Sequence, residues 1–428
     1  MTIFTYKFRL KDVTEIQVGF PFKSAEYSET GIKLLRGDNI GQGFLQWNGV
    51  KFWPIEKSSQ LSQYILQKDD VVIAMDRPWV SSGLKYSVIH QEDDGSLLVQ
   101  RVARLRSLPG IHKYILPYII GSGNFTNYIL SVQTGTTIPH ISLDQIGDYE
   151  FFAPPIKEQE KIGSLLRRLD NKIDLNRRTN ETLEAMARAL FRDWFVDFGP
   201  TRAKMAGEAP YLAPELWELF PDRLDDEGKP EGWKTEPLDE TATFLNGLAL
   251  QKYPATGDTS LPAIKIAQLR SESTETADPV SPDIPDDYII EQNDLLFSWS
   301  GSLLCKFWNG QRGALNQHLF KVTSKRFEPW FIYEWIQFYM PEFQAIAADK
   351  ATTMGHIQRR HLTESLVTIP PANIMQAANN AIGSLIEQIQ SNNGQSRTLA
   401  QLRDLLLPKL MSGEISIRDA EKMVEDAA

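Results

Sequence analysis

The chain has 428 residues, 42% hydrophobic and 23% charged, which is typical of a soluble globular protein with two or three domains. No stretch approaches the roughly 18 apolar residues of a membrane span, and the N-terminus has no apolar signal-peptide segment, so we expect no membrane association. The single cysteine, Cys305, excludes a disulfide framework and a cysteine-based metal site, which favours the cytoplasm. The net charge of −10 disfavours nonspecific polyanion binding by the chain as a whole.

Residues 1–152 read as a first α/β domain of short strands and turns, and residues 153–200 then predict one long helix. Pro154 and Pro155 begin it, and Gly199 followed by Pro200 predicts a left-handed cap that ends it. Apolar residues between them recur every three or four positions, which is the seam of a coiled coil. A helix of this length needs a partner to cover its apolar stripe.

The partner is predicted within the same chain. Residues 201–235 read as a connector, residues 236–370 as a second α/β domain, and residues 371–428 as a second long helix with a tail. Each helix has polar residues in the middle of its seam, Asn176 and Asn180 in the first and Asn392 and Ser396 in the second. Antiparallel pairing would bring these polar positions together and fix the register. The alternative is two unrelated helices in separate domains.

The second half of the chain repeats the first. The segment TTIPHI starting at residue 136 matches TTMGHI starting at residue 352, and Pro154-Pro155 matches Pro370-Pro371, both at an offset of 216. Gln100 similarly matches Gln317 at nearly the same offset. A repeat of this kind fixes the architecture. We therefore predict an α+β fold: two α/β domains separated by two long helices in an antiparallel coiled coil, with a pseudo-two-fold internal repeat.

Motifs for independent catalysis are missing from the sequence. There is no GxxxxGK[ST] phosphate loop, and the Gly-x-Gly pairs lack the third glycine of a dinucleotide site. The six histidines lack metal-ligand spacing. Neither proline pair follows an Asn or Asp that could hold the target amine of an amino-methyltransferase. A free-standing methyltransferase or nuclease is therefore disfavoured, and we predict no cofactor and no metal.

Basic and amide residues lie near turns and aromatic residues in both halves, a composition suited to contacts with nucleic acid. Solvated surface is the competing interpretation for each of them. The candidates are Arg36, Asn39, Arg77 and Lys85 in the first half, and Lys265, Gln268, Arg270, Ser298, Ser300 and Gln317 in the second.

The repeated Thr-Thr-x-x-His motif is a stronger candidate because it occurs at equivalent positions before each long helix. Its residues are Thr136, Thr137 and His140, and Thr352, Thr353 and His356. Contact with phosphate groups and a structural turn that satisfies buried backbone groups are both open interpretations.

Four segments together resemble the specificity subunit of type I restriction–modification systems, along essentially the whole chain. They are PPIKEQEKIGSLLRRLDNKIDLNRRTNETLEAMARALFRDWFVDF, the preceding TTIPHIS, the repeated TTMGHIQ, and the closing LAQLRDLLLPKLMSGEI. The resemblance implies two target-recognition domains, each reading one half of a bipartite, asymmetric site in double-stranded DNA. The two helices would then serve as a ruler between the half-sites.

The resemblance also implies partners: two methyltransferase (modification) subunits, which methylate adenine at N6, and two restriction subunits. The cofactors would belong to those partners. Phe191, Trp194 and Phe195 are candidate partner contacts, although packing against the second helix is equally open.

One feature departs from this expectation, because residues 221–369 carry 14 Lys and Arg against 22 Asp and Glu. The second domain would then bind DNA through basic residues on one face or with the help of its partners. The alternative function is a coiled-coil scaffold that reads no bases.

Overall fold

A computed structural model of the chain describes residues 5–80, 83–135, 137–256, 259–349 and 355–427. It divides into two compact units. Unit 1 comprises residues 1–173 and 397–428, and unit 2 comprises residues 174–396. Unit 1 therefore draws on both ends of the chain. Within the described ranges, no helix is long and apolar enough to cross a membrane.

Unit 1 is built from short strands and helices before the first long helix. They are β1 (Tyr6–Arg9), α1 (Leu10–Val13), β2 (Thr14–Val18), β3 (Ile32–Leu35), β4 (Lys51–Trp53), β5 (Val71–Ala74), β6 (Trp79–Val80), β7 (Gly83–Leu84), β8 (Tyr86–Val88), β9 (Leu97–Leu98), β10 (Val102–Ser107), α2 (Leu116–Ile120), α3 (Gly123–Val132), α4 (Leu143–Gly147) and β11 (Glu150–Ala153). The long helix α5 (Ile156–Phe191) begins in unit 1 and ends in unit 2.

Unit 2 has a corresponding series of elements. They are α6 (Gly199–Met205), α7 (Pro214–Trp217), β12 (Lys234–Pro237), α8 (Leu238–Thr241), β13 (Thr243–Asn246), β14 (Leu261–Ile264), α9 (Ile266–Ser271), β15 (Pro279–Val280), β16 (Ile289–Ile290), β17 (Leu295–Ser298), β18 (Cys305–Phe307), β19 (Gly313–Leu315), β20 (Leu319–Thr323), α10 (Pro329–Asp349), α11 (Arg359–Glu364), β21 (Leu366–Ile369) and α12 (Ala372–Ala378). The second long helix, α13 (Ser384–Ser412), ends in unit 1, where α14 (Ile417–Ala427) follows.

The sheets confirm the internal repeat. The main sheet of unit 1 has the strand order β2-β10-β5-β8, and that of unit 2 has the equivalent order β13-β20-β17-β18. Each unit also has a parallel strand pair, β3 with β9 and β14 with β19. The first strand of each unit pairs antiparallel with the last, β1 with β11 and β12 with β21. The predicted mixed α+β fold is confirmed.

The long helix begins where the sequence predicts but ends differently. Just inside its start, Gln159 is fully buried, and its Nε2 donates to the carbonyl oxygen of Pro154 at 2.8 Å. At its other end a π-helical turn, Arg192–Val196, follows α5. Phe198, not Gly199, then adopts the left-handed conformation, with φ 55°. Gly199 is instead the first residue of α6. Glycine is favoured there because a Cβ would lie 1.9 Å from a carboxylate oxygen of Asp193.

The two long helices pack antiparallel in unit 1. Ile162 and Leu166 of α5 share the core of this unit with Leu406 and Leu410 of α13. Farther along α5, Asp170 accepts a hydrogen bond from Arg403 at 2.7 Å. Residue numbers thus rise along one helix as they fall along the other, as the antiparallel prediction requires.

In unit 2 the helices meet through a layer of buried amides. Asn176 Nδ2 donates to Ser396 Oγ at 3.2 Å, and Asn392 Nδ2 donates to Asn180 Oδ1 at 2.8 Å. The sequence offset of 216 relates Asn176 to Asn392 and Asn180 to Ser396, so the two bonds are equivalent under the repeat. The predicted meeting of the polar seam positions is confirmed. Because a buried amide needs a partner, this layer fixes one register.

The stretch predicted as a connector contributes to the core of unit 2. Phe220 and Trp233 are 3% exposed and belong to the main hydrophobic cluster of that unit, and Trp217 is 7% exposed. This stretch is therefore part of the folded unit, because burial of its aromatic side chains stabilises it there.

We expect Asn392→Ala to lower the free energy of unfolding of unit 2 by about 1–3 kcal/mol, because Asn180 Oδ1 loses its buried donor. Urea denaturation monitored by tryptophan fluorescence measures the change. Ser391→Ala, at the exposed neighbouring position, is the matched control and should lie within about 0.5 kcal/mol of the parent chain. Equal stability of the two variants would contradict a register set by the amide layer.

Candidate nucleic-acid interface

Three segments of unit 1 converge where the buried strand β5 ends. Met75 N donates to the carbonyl oxygen of Arg101 at 2.8 Å, and Ile141 N donates to that of Met75 at 3.0 Å. Arg77 N donates to the carbonyl oxygen of Pro139 at 2.7 Å. These backbone bonds join the loop after β5, the turn before β10 and the Thr-Thr-x-x-His loop.

The convergence brings Asp76, Arg101 and His140 together. His140 Nδ1 lies 2.7 Å from Asp76 Oδ1, and Arg101 Nε lies 3.7 Å from Asp76 Oδ2. The Arg101 side chain is 61% exposed. One carboxylate thus holds an imidazole and a guanidinium at the surface, which leaves the Nη donors of Arg101 and the second ring nitrogen of His140 available to a ligand.

Unit 2 repeats this arrangement at the end of β17. Gly301 N donates to the carbonyl oxygen of Gly355 at 2.8 Å, and Ile357 N donates to that of Trp299 at 3.0 Å. The positions of Asp76, Arg101 and His140 are taken here by Ser300, His318 and His356. We call these two sets of three residues the loop clusters.

The side chains of the second loop cluster pack around an indole ring. Ser300 Oγ lies 3.0 Å from His318 Nδ1. The ring of Trp299 lies 5.9 Å from that of His318 and 6.3 Å from that of His356. Trp299 Nε1 donates to Asn246 Oδ1 at 2.9 Å. The cluster is therefore held in place by hydrogen bonds on several sides.

The predicted basic residues of unit 1 lie at the same end of β5. Lys85 N donates to the carbonyl oxygen of Pro78 at 2.7 Å. Partial burial lowers the pKa of Lys85. The charge of Asp38 opposes this shift, and the charge of Arg77 adds to it, so these three charges are close neighbours. Arg77 is exposed, and Arg36 is half-buried two residues before Asp38. Together with Arg101 they form a cationic edge.

Asn39 and Gln268, predicted to contact DNA, are structural instead. Asn39 is 1% exposed and its Oδ1 accepts from Arg36 N at 3.0 Å; Gln268 is 4% exposed and its Oε1 accepts from Lys265 N at 3.3 Å. Each amide caps the turn that follows a parallel strand. Their side chains are committed to the backbone, which the sequence could not reveal because a capping amide and a base-reading amide are the same residue type.

The predicted residues Lys265, Gln317 and Arg270 of unit 2 lie in two different environments. Lys265 forms an ion pair with Asp278 beside a cavity of about 420 Å³, which Gln317 and His318 also line. Arg270 is exposed in the last turn of α9. The cavity therefore adjoins the second loop cluster, and Lys265 is its cation.

Ser298 is also structural. It is fully buried, and its Oγ contacts the carbonyl oxygens of Ser300 and Ser302, each at 3.0 Å. Ser300 is only 3% exposed, so its contribution to the surface is to hold His318. Both predicted contacts with DNA are corrected on this ground.

The Thr-Thr-x-x-His motif forms a turn where it can be described. His140 and Thr134 exchange backbone hydrogen bonds of 2.7 and 2.9 Å, and Thr137 is exposed. His356 forms a backbone bridge to Ser300, which is equivalent to the bridge between His140 and Asp76 in unit 1. The predicted residues Thr136, Thr352 and Thr353 lie outside the described residues.

The aromatic residues predicted to contact partners are buried in unit 2. Phe191, Trp194 and Phe195 are at most 2% exposed. Phe191 packs edge-on against Trp335 at 5.1 Å, and Trp194 against Phe220 at 5.2 Å. This corrects the prediction of exposed partner contacts, because helical periodicity shows an apolar face without showing what covers it.

Sequence reasoning missed Asp76, Arg101 and His318. The match between Gln100 and Gln317 was the available signal, since Arg101 and His318 are the next residues in each copy. Across the described ranges, no group of His, Cys, Asp and Glu side chains could hold a metal ion.

Comparison with known proteins shows which proteins this chain is similar to. Residues 5–185 match the type I restriction modification DNA specificity domain. The MjaIX specificity subunit of Methanocaldococcus jannaschii is 25% identical over 326 residues, covering 72% of this chain and 71% of that protein. The chain is therefore similar to specificity subunits of type I restriction–modification systems, and the domain match lies in its first half.

A further relative and a solved structure are also similar to this chain. The MjaVIII specificity subunit of the same organism is 31% identical over 177 residues, covering 41% of this chain and 42% of that protein. The crystal structure of the S subunit from M. genitalium shares the fold, with a TM-score of 0.54 at 13% identity and 96% coverage of both chains. The predicted resemblance to a specificity subunit is supported by these matches.

Proposed function

We propose that this specificity subunit reads a bipartite, asymmetric site in double-stranded DNA, one half with each unit. The observation that supports this most is the pair of loop clusters, which have the same backbone frame but different side chains. Two units with identical loop clusters would recognise a symmetric site, whereas two units with different loop clusters recognise two different half-sites. Base contacts specify a sequence, and the cationic edge of unit 1 suits the phosphate contacts that position DNA.

The partners in this proposal are two methyltransferase subunits, which methylate adenine at N6, and two restriction subunits, in the cytoplasm. The chain selects the DNA sequence, and the partners carry out the reactions and bind the cofactors. Unit 2 is rich in acidic residues between positions 221 and 369. Its weaker electrostatic attraction for DNA makes help from a basic partner surface part of the proposal.

The proposal is tested by co-expressing the chain with its cognate methyltransferase subunit and mapping N6-methyladenine across the host genome. We expect a split motif with a fixed gap that is absent when the chain is omitted. Methylation that does not depend on the chain, or a stable complex without methylation, would instead support the scaffold alternative.

We expect Arg36→Ala, Lys85→Ala, Lys265→Ala and Arg270→Ala each to weaken DNA binding by the assembled complex. Each loss of a phosphate contact should lower the slope of log K against log salt concentration by about 1. Fluorescence anisotropy at several salt concentrations measures both quantities.

Matched controls are Arg168→Ala and Arg312→Ala, which remove exposed, ion-paired arginines of units 1 and 2 outside the loop clusters. We expect both to bind DNA like the parent chain. Unchanged binding in all four test variants would remove these residues from the interface.

The paired helices are proposed to set the gap between half-sites. Inserting one heptad after Arg178 and one after Gly394 preserves the seam and lengthens both helices by about 10 Å. At about 3.4 Å per base pair, the gap in the methylated motif should grow by about three base pairs. The same methylation map measures it, and an unchanged gap would overturn the ruler while leaving the recognition proposal intact.

A further inference from the structure

The repeat relates one exposed arginine of unit 1 to one histidine of unit 2. Gln100 N donates to the carbonyl oxygen of Phe20 at 2.9 Å, and Gln317 N donates to that of Leu248 at 2.8 Å. The backbone bonds from Gly19 to Val102 and from Gly247 to Leu319 are both 3.1 Å long. Arg101 and His318, which lie between these anchored positions, therefore occupy the same place in the two units.

The other positions of the loop clusters are less suited to distinguish two half-sites. His140 and His356 are the same residue type, so their identity cannot encode a difference between the units. Ser300 is 3% exposed, which removes it from direct contact with DNA. Its counterpart Asp76 is already engaged by two cationic or potentially cationic side chains.

Arg101 and His318 differ in chemistry and reach the surface. The guanidinium of Arg101 has a planar fork of donors, which matches the O6 and N7 acceptors of guanine in the major groove. His318 Nδ1 is held by Ser300 Oγ, so Nε2 is the ring nitrogen directed to other partners. Gln317 Nε2 lies 3.4 Å from it, beside the cavity of about 420 Å³.

We propose that the position shared by Arg101 and His318 determines base specificity in each half-site. Arg101 reads a guanine through two hydrogen bonds, and His318 makes a different, single contact in the half read by unit 2. This inference rests on the proposed function, because it assumes that each unit reads its own half-site.

The test is reciprocal exchange at this one position, with the complete chain co-expressed with its methyltransferase subunit. Arg101→His should reduce the preference for guanine at one base pair in one half-site by about 5- to 150-fold and leave the other half unchanged. His318→Arg should alter one base preference in the other half only. Genome-wide mapping of N6-methyladenine gives both preferences in one experiment.

Both exchanges are compatible with the fold. Arg101 has φ 68°, and histidine tolerates this left-handed conformation better than most residues. His318 lines the cavity of unit 2, which has room for the longer arginine side chain. Each half-site serves as the internal control for the other, since misfolding or failed assembly would abolish methylation at every site.

Arg101→Lys is the second variant for unit 1. It retains the charge but loses the fork, so it should also relax the guanine preference. Arg168→His is the matched control, an exposed arginine of unit 1 with 65% side-chain exposure, and should leave the motif unchanged.

The outcomes separate the inference from the proposed function. If the parent chain yields no chain-dependent split motif, the proposed function fails. If the parent yields one and Arg101→Lys and His318→Arg retain it in full, or lose methylation equally at all bases, the inference is overturned. If Arg101→His gives no methylation at all, Arg101→Lys and His318→Arg decide the question.

Discussion

The buried amide layer between the long helices is the constraint on which the rest of unit 2 depends. Asn176, Asn180 and Asn392 are each less than 9% exposed, so every one of these side chains must find a partner inside the helix pair. Sliding one helix by a turn would break these hydrogen bonds, and a buried amide left without a partner costs free energy. The register of the whole pair follows from this requirement.

The helix pairing also explains how one unit can be made from both ends of the chain. Leu406 and Leu410 complete the core of unit 1 although they follow all the strands of unit 2. The ion pair between Asp170 and Arg403 adds a directional contact to this apolar packing. A continuous helix can supply a core at each end because its apolar stripe persists along its length.

The loop clusters combine a constant frame with variable side chains. Backbone hydrogen bonds such as Arg77 N to Pro139 O, and Gly301 N to Gly355 O, do not depend on side-chain identity. Exposed side chains on that frame can differ, as Arg101 and His318 do, with little effect on the core. This separation lets the exposed side chains vary while the backbone frame is kept. The buried capping amides Asn39 and Gln268 belong to the constant frame.

The sequence alone determined the repeat, the start of the long helix at Pro154 and Pro155, and the meeting of Asn176 with the C-terminal helix. These features depend on local chemistry and on periodicity, which a linear sequence records. Only the tertiary structure decided that Phe191, Trp194 and Phe195 are core residues and that Asn39 and Ser298 serve the backbone. Burial and hydrogen-bond partners depend on which distant segments cover a side chain. For the same reason, Arg101 emerged as a candidate only when Asp76 and His140 were seen beside it.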